Sequence, residues 1–120
     1  MARILAVDDS ASMRQMVSHT LKQQGHEVTE AGDGDDALGK AKSGSFDAVI
    51  SDINMPKMDG ITLVKELRAL PAFKFTPILL LTTESDPGKK QEGKQAGATG
   101  WLTKPFDPDQ LLKTVGKVLG

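Results

Sequence analysis

At 120 residues the chain suits one domain with a real hydrophobic core and a radius of gyration of about 14 Å. Fifteen Lys and Arg against sixteen Asp and Glu leave a formal net charge of -1, too little to draw the chain to nucleic acid, and the absence of Cys excludes disulfides, thiolate metal sites and thiol catalysis. Its most apolar run, Ile78 to Leu81, is far too short for membrane insertion, and two acids interrupt MARILAVDD before it can form a signal peptide, so a soluble, intracellular, cytoplasmic domain is expected.

Arg3 to Val7 reads as a strand that stops at Asp8-Asp9. Ser10 or Ser12 can cap the helix that follows, and Met13, Met16, Val17, Thr20 and Leu21 fall on one helical face, so its methionines are expected in the core. Gly25 suits the stop, and Glu27 to Ala31 makes a weaker strand. After the turn-like GDGDD, in which Gly32-Asp33-Gly34 is too short for a phosphate loop, a small helix turns Ala37, Leu38 and Ala41 inward and ends near Gly44. Ala48, Val49 and Ile50 begin a buried strand that hands over abruptly to Asp52, Asn54, Pro56 and the turn pair Asp59-Gly60. The third helix is expected over Gly60 to Leu70, capped by Asp59, with Ile61, Val64 and Leu67 inside.

Pro77 to Thr82 is the most apolar strand, with Pro77 acceptable only at its start. Pro87 suits the first turn of a fourth helix that carries Gly88 and Gly93 and almost no apolar stripe, a candidate for a mobile, basic segment. Thr99 to Thr103 makes a short fifth strand before Lys104-Pro105. Asp107 caps the last helix, with Pro108 at its first position and Leu111, Leu112, Val115, Val118 and Leu119 packed inward. Five strands alternating with five helices predict a doubly wound α/β fold, a five-stranded parallel sheet covered on both faces, over a single domain spanning 1–120.

In such sheets ligands bind beyond the carboxyl ends of the strands, where the strand order reverses. Those ends carry Asp8 and Asp9, Asp52, Thr82 and, just past the fifth strand, Lys104. Singly, each has a plain structural reading as a cap, a turn residue, a strand hydroxyl or a surface lysine. Together they place polar groups at one edge from four of five strands. Two carboxylates about 4 Å apart repel by roughly 4 kcal/mol at an effective dielectric of 20. A divalent cation relieves this, and an all-oxygen acidic site suits Mg²⁺. Lys104 can neutralise an anion opposite the metal, Thr82 can donate to the same anion, and Asp52 is then equipped as a nucleophile toward phosphorus.

Asp8-Asp9, DINMPKMDG around Asp52, LLTTE around Thr82 and TKPF around Lys104 resemble the receiver domain of bacterial response regulators, over the whole chain and in order. Through VDDSASMR, DINMP and KPF the likeness is nearest to the stand-alone, CheY-type chemotaxis regulators. The resemblance implies a flavodoxin-like sheet of order 2-1-3-4-5. It implies that Asp52 accepts a phosphoryl group from a phosphohistidine on a CheA-like sensor histidine kinase. Asp9, Asp52 and the backbone carbonyl of Asn54 would hold Mg²⁺, with Asp8 acting through water, and Thr82 and Lys104 would contact the phosphoryl oxygens. Lys104-Pro105 would be cis. Asn54 and Glu84 would flank the path of attacking water, so the only catalysis expected is Mg²⁺-dependent self-phosphorylation and slow self-dephosphorylation.

Two positions depart from the family pattern. Thr83 stands where a small residue is usual, and Trp101 stands where the switch aromatic is usually Tyr, Phe or His. The chain ends at Gly120 with no output domain, so the signal is expected to leave by protein binding, with the flagellar motor switch as the target the likeness suggests. A phosphate sink or a kinase-side adaptor has the same sequence requirements. An aspartyl-nucleophile phosphohydrolase is disfavoured because Asn54 occupies the place of its general acid, and a flavodoxin because Asp8-Asp9 would repel a flavin phosphate.

Overall fold

Ile4, Leu5, Ala6 and Val7 are all buried, as are all five residues of Ala48–Asp52, which places these two strands at the centre of a sheet covered on both faces. The computed structural model describes residues 2–55, 57–83, 87–104 and 107–119, with Thr83, Pro87 and Lys104 described by backbone alone. Along the chain lie β1 (Arg3–Val7), α1 (Ala11–Gln23), β2 (Glu27–Ala31), α2 (Gly34–Ser43), β3 (Ala48–Asp52), α3 (Gly60–Arg68), a 3₁₀ turn (Pro71–Phe73), β4 (Ile78–Thr83), α4 (Pro87–Ala96), β5 (Gly100–Lys104) and α5 (Pro108–Leu119). The five strands are parallel, in the order β2-β1-β3-β4-β5, and the radius of gyration is 12.6 Å.

Strand alternation divides the core in two. Leu5, Val7, Val49, Ile78 and Leu80 face α2 and α3, meeting Ala37, Ala41, Ile61, Leu63, Val64 and Leu67. Ile4, Ala6, Ala48, Ile50, Leu79 and Leu81 face α1 and α5, meeting Val17, Leu21, Leu111 and Val115. Leu112, Val118 and Leu119 pack on the rim of that second cluster, as the α5 pattern predicts.

Four departures from the sequence expectation have local causes. α3 ends at Arg68 rather than Leu70, because Leu70 precedes Pro71 and is extended (φ -86°, ψ 127°). β4 starts at Ile78, since Pro77 has no N–H and lends only its carbonyl, to the Val49 amide at 2.9 Å. Thr99 lies just outside β5, its N–H bonded to the Ile78 carbonyl at 2.8 Å and its hydroxyl accepting the Ile78 N–H at 3.0 Å. In α1 the inner face holds Val17, Ser18, Thr20 and Leu21; Met13 packs on the rim of the core as expected, whereas Met16 is 53 % exposed and does not. The small Ser18 takes the inward position instead. Gly93, a break in the sequence pattern, is buried against β4: a β-carbon there would stand 2.8 Å from Leu80 Cδ1.

Candidate functional site

The acids meet because of strand register. Val7 pairs with Ser51, so one step further Asp8 stands beside Asp52 at the ends of adjacent strands. Alternation turns both toward the α1 and α5 side, Asp8 following Ile4 and Ala6, and Asp52 following Ala48 and Ile50. This is also where the strand order reverses, between β1 and β3. The Asp8 N–H still bonds the Ala31 carbonyl at 3.2 Å, tying the strand end to β2. Its Oδ1 accepts the Ser10 N–H at 2.9 Å, and the Ser10 hydroxyl caps α1 by accepting the Met13 N–H at 3.3 Å. Asp8 and Asp52 are buried and Asp9 is exposed, and one carboxylate oxygen from each of the three lies within 4.8 Å of the others.

The loop after Asp52 is held on both sides. The Ile53 N–H bonds the Leu81 carbonyl at 3.0 Å, and the Ile53 carbonyl accepts the Gly60 N–H at 2.9 Å. Ile53 and Met55 are buried while Asn54 is exposed, so the chain presents Asn54 outward beside the acids. Lys57 takes the left-handed conformation (φ 69°), and Asp59 caps α3 by accepting the Thr62 N–H at 2.8 Å.

Thr82 is buried near the end of β4, level with Thr103 of β5. Trp101 is level with Leu80 and half-buried, which puts it on the same sheet face as Thr82 and two residues back along the neighbouring strand. Its ring packs against the α2–α3 core, and Lys90 Nζ of α4 lies 5.7 Å from its centroid. Lys104 ends β5 opposite Thr83, which brings both backbones to the edge that carries the acids. The side chains of Thr83 and Lys104, and Glu84 and Pro105 entirely, lie outside the described residues.

Sequence reasoning missed the pair behind Asp8. Arg14 donates from Nη1 to the Asp8 carbonyl at 2.7 Å and from Nε to Glu30 Oε1 at 3.1 Å. A cation in the first turn of a helix opposes the helix dipole, and that mismatch is the signal that could have singled out Arg14. Lys40 extends the link, donating to the Glu30 carbonyl at 2.5 Å and pairing with Asp36 at 3.2 Å.

Chemically, three convergent carboxylates, two of them buried, repel one another by several kcal/mol, of order 4 kcal/mol per close pair at an effective dielectric of 20. The donor set is all oxygen, and Asp8, Asp9 and Asp52 could hold a small hard divalent cation that leaves positions for further oxygen ligands.

The chain matches the response regulator receiver domain family over residues 4–116. It is 41 % identical to the chemotaxis protein CheY-3 of Vibrio cholerae over 97 % of this chain and 90 % of that protein. The crystal structure of chemotaxis protein CheY4 of Vibrio cholerae superposes with a TM-score of 0.95 at 61 % identity, covering 98 % of each chain. The receiver domain of a sensor histidine kinase from Pseudomonas aeruginosa, described with a magnesium ion coordinated in its active-site cleft, superposes with a TM-score of 0.92 at 29 % identity, covering 99 % of this chain and 98 % of that one. The chain thus belongs to the response regulator receiver domains and is of the CheY chemotaxis type, a phosphorylation-activated signalling switch of a two-component system.

Proposed function

We propose that Asp52 is the phosphoryl acceptor of this switch. In this reading Asp9, Asp52 and the Asn54 backbone carbonyl hold Mg²⁺, Asp8 acts on it through water, and Thr82 and Lys104 contact the phosphoryl oxygens. The observation that carries it is the convergence of Asp8, Asp9 and Asp52 within 4.8 Å at the carboxyl edge of the sheet, with Thr82 buried at the same edge. When bound, Mg²⁺ offsets the negative charge of the acids and of the incoming phosphoryl oxygens.

Asp52 supplies the nucleophile. One of its carboxylate oxygens forms the new P–O bond while the P–N bond to the donor imidazole breaks, the nitrogen keeping the bonding pair. The Thr82 hydroxyl donates to a phosphoryl oxygen, and the Lys104 ammonium offsets the charge from the side of β5. Asn54 and Glu84 line the path of the water that later removes the group. Thr83 narrows access beside it, so Thr83→Ala speeds phosphorylation, hydrolysis or both; equal rates would refute that role. Trp101 moves inward as Thr82 turns toward the phosphoryl group.

The donor in this reading is a CheA-like sensor histidine kinase, and the output is protein binding in chemotaxis, with the flagellar motor switch as target, by a cytoplasmic monomer. The similarity to CheY-3 and CheY4 supports that assignment. No described helix is long and apolar enough to cross a membrane. Trp101, α4 and α5 form the responding face, and Lys90 beside the Trp101 ring gives that face a basic, aromatic character.

Intact mass after incubation with Mg²⁺ and a small acyl phosphate tests the acceptor chemistry. The wild-type protein gains one phosphoryl group, loses the gain when the metal is chelated, and the Asp52→Asn variant gains none. No gain in the wild type, or an equal gain in the variant, would contradict the reading.

A further inference from the structure

We infer that Arg14 is a positioning residue for the acid cluster, holding the Asp8-Asp9 peptide at the angle that brings both carboxylates onto Asp52; this rests on the reading of that cluster as a Mg²⁺ site. The carbonyl that Arg14 Nη1 holds at 2.7 Å belongs to the peptide bond joining Asp8 to Asp9. Fixing that peptide plane fixes how the two acids sit relative to each other. The N–H on the other side of Asp8 is already anchored to the Ala31 carbonyl, and its Oδ1 to the Ser10 N–H. Arg14 therefore adds to the two hydrogen bonds that already anchor Asp8.

The guanidinium is itself braced. Its Nε bonds Glu30 Oε1 at 3.1 Å, its side chain is only 21 % exposed, and the Arg14 N–H bonds the Ser10 carbonyl at 2.9 Å. Lys40 donates to the Glu30 carbonyl, and the Gly32 N–H bonds Asp36 Oδ2 at 3.2 Å, so the brace continues through the β2–α2 turn. Glu30 also settles an electrostatic conflict. An unpaired cation beside three carboxylates would compete with a divalent ion, whereas an Arg–Glu pair is neutral and keeps only its geometry. A planar fork can hold a carbonyl and a carboxylate at once; a lysine offers a single point.

This makes a prediction of unusual sign. By charge alone, Arg14→Met should tighten Mg²⁺ binding, since it removes a cation from beside the acids. By positioning, it should weaken it, by about tenfold as for other outer partners of metal ligands. The test is NMR titration with MgCl₂ alone, without phosphodonor, on the wild type, Arg14→Met and Arg14→Lys, with amide hydrogen exchange of the metal-free proteins as second readout. The expected result is a dissociation constant raised about tenfold in Arg14→Met and by less in Arg14→Lys. The Ser10 amide should exchange several-fold faster in Arg14→Met while that of Leu21 is unchanged. Mg²⁺ binding as tight as the wild type or tighter in Arg14→Met would overturn the inference, and so would equal acceleration at Ser10 and Leu21, which would mean that α1 loosens as a whole. A wild type that binds no Mg²⁺ would instead sink the reading of the cluster on which the inference rests.

Discussion

Gly60 lies directly against the backbone of Asp52. A β-carbon at Gly60 would overlap the Asp52 carbonyl oxygen and stand 2.9 Å from the Ile53 Cα. Both neighbours are main chain in a buried strand end, so neither can rotate away. The start of α3 is thereby pressed onto the peptide that carries the proposed phosphoryl acceptor. Gly60→Ala is expected to cost about 2 kcal/mol, in the range of overpacked cores, read as a lower urea midpoint with unchanged slope. A loss below a few tenths would mean the loop re-routes freely.

Gly39 and Gly116 are the counter-case. Both lie inside helices, α2 and α5, and a β-carbon at either would meet nothing within 4 Å. Gly39→Ala and Gly116→Ala should each stabilise by about 0.5–1 kcal/mol, because alanine restricts the unfolded chain and costs the folded one nothing. Chemical denaturation checks this, and destabilisation by either change would show a contact hidden from the static packing.

Ser18 carries a buried hydroxyl with no hydrogen-bond partner among the described residues. Removing an unpaired buried hydroxyl is neutral or favourable, by up to about 1 kcal/mol. Ser18→Ala should therefore keep or raise the melting temperature. A clear drop would point to an ordered water bonded to that oxygen.

Arg68 ties three segments together at the end of the sheet remote from the acids. Its Nη1 donates to the carbonyls of Phe73 and Thr76 at 2.7 Å, and its Nε and Nη2 donate to the Gly97 carbonyl at 3.0 and 2.8 Å. Arg68→Met strands these carbonyls and should cost about 3 kcal/mol. Arg68→Lys, with one point donor, should recover only part of it. Full recovery by lysine would mean that charge, not the fork, holds the segments.

Asp36 makes stability depend on pH. Burial pushes its carboxyl upward, but the Gly32 N–H, Lys40 and Arg14 together outweigh this and hold it below its ordinary value of 3.8. A depressed folded pKa stabilises above the unfolded value and is lost as pH falls through the folded one. The stability difference between wild type and Asp36→Asn should thus shrink as the solution is acidified below that value, and salt should shrink it further because the pair is exposed. A difference that grows on acidification would reverse the assignment.

The bounds of β1 and β2 were legible to the residue, because the apolar run of β1 stops at Asp8-Asp9 and the alternating EVTEA of β2 lies between Gly25 and the turn residues Gly32-Asp33. The polar edge was legible for the same reason: Asp8, Asp52 and Thr82 each stand at the end of an apolar run, and parallel strands bring such ends to one side. Interactions between elements were not. Arg14 and Glu30 are sixteen residues apart, and only the β1–β2 pairing brings them together. Gly93 read as a helix break because its partner, Leu80, is on another element. Met16 and Ser18 exchanged places because a period of 3.6 admits either stripe until the neighbours of α1 choose one.

The acceptor assignment is tested most directly by trapping. An acyl phosphate on aspartate is reduced by borohydride to homoserine, whereas phosphate esters and unmodified aspartate are not. After phosphorylation in Mg²⁺ and reduction, peptide sequencing by mass spectrometry should place homoserine at Asp52 and leave Asp8 and Asp9 as aspartate. Homoserine at Asp8 or Asp9, or at none of the three while the intact protein carries the phosphoryl group, would contradict the account.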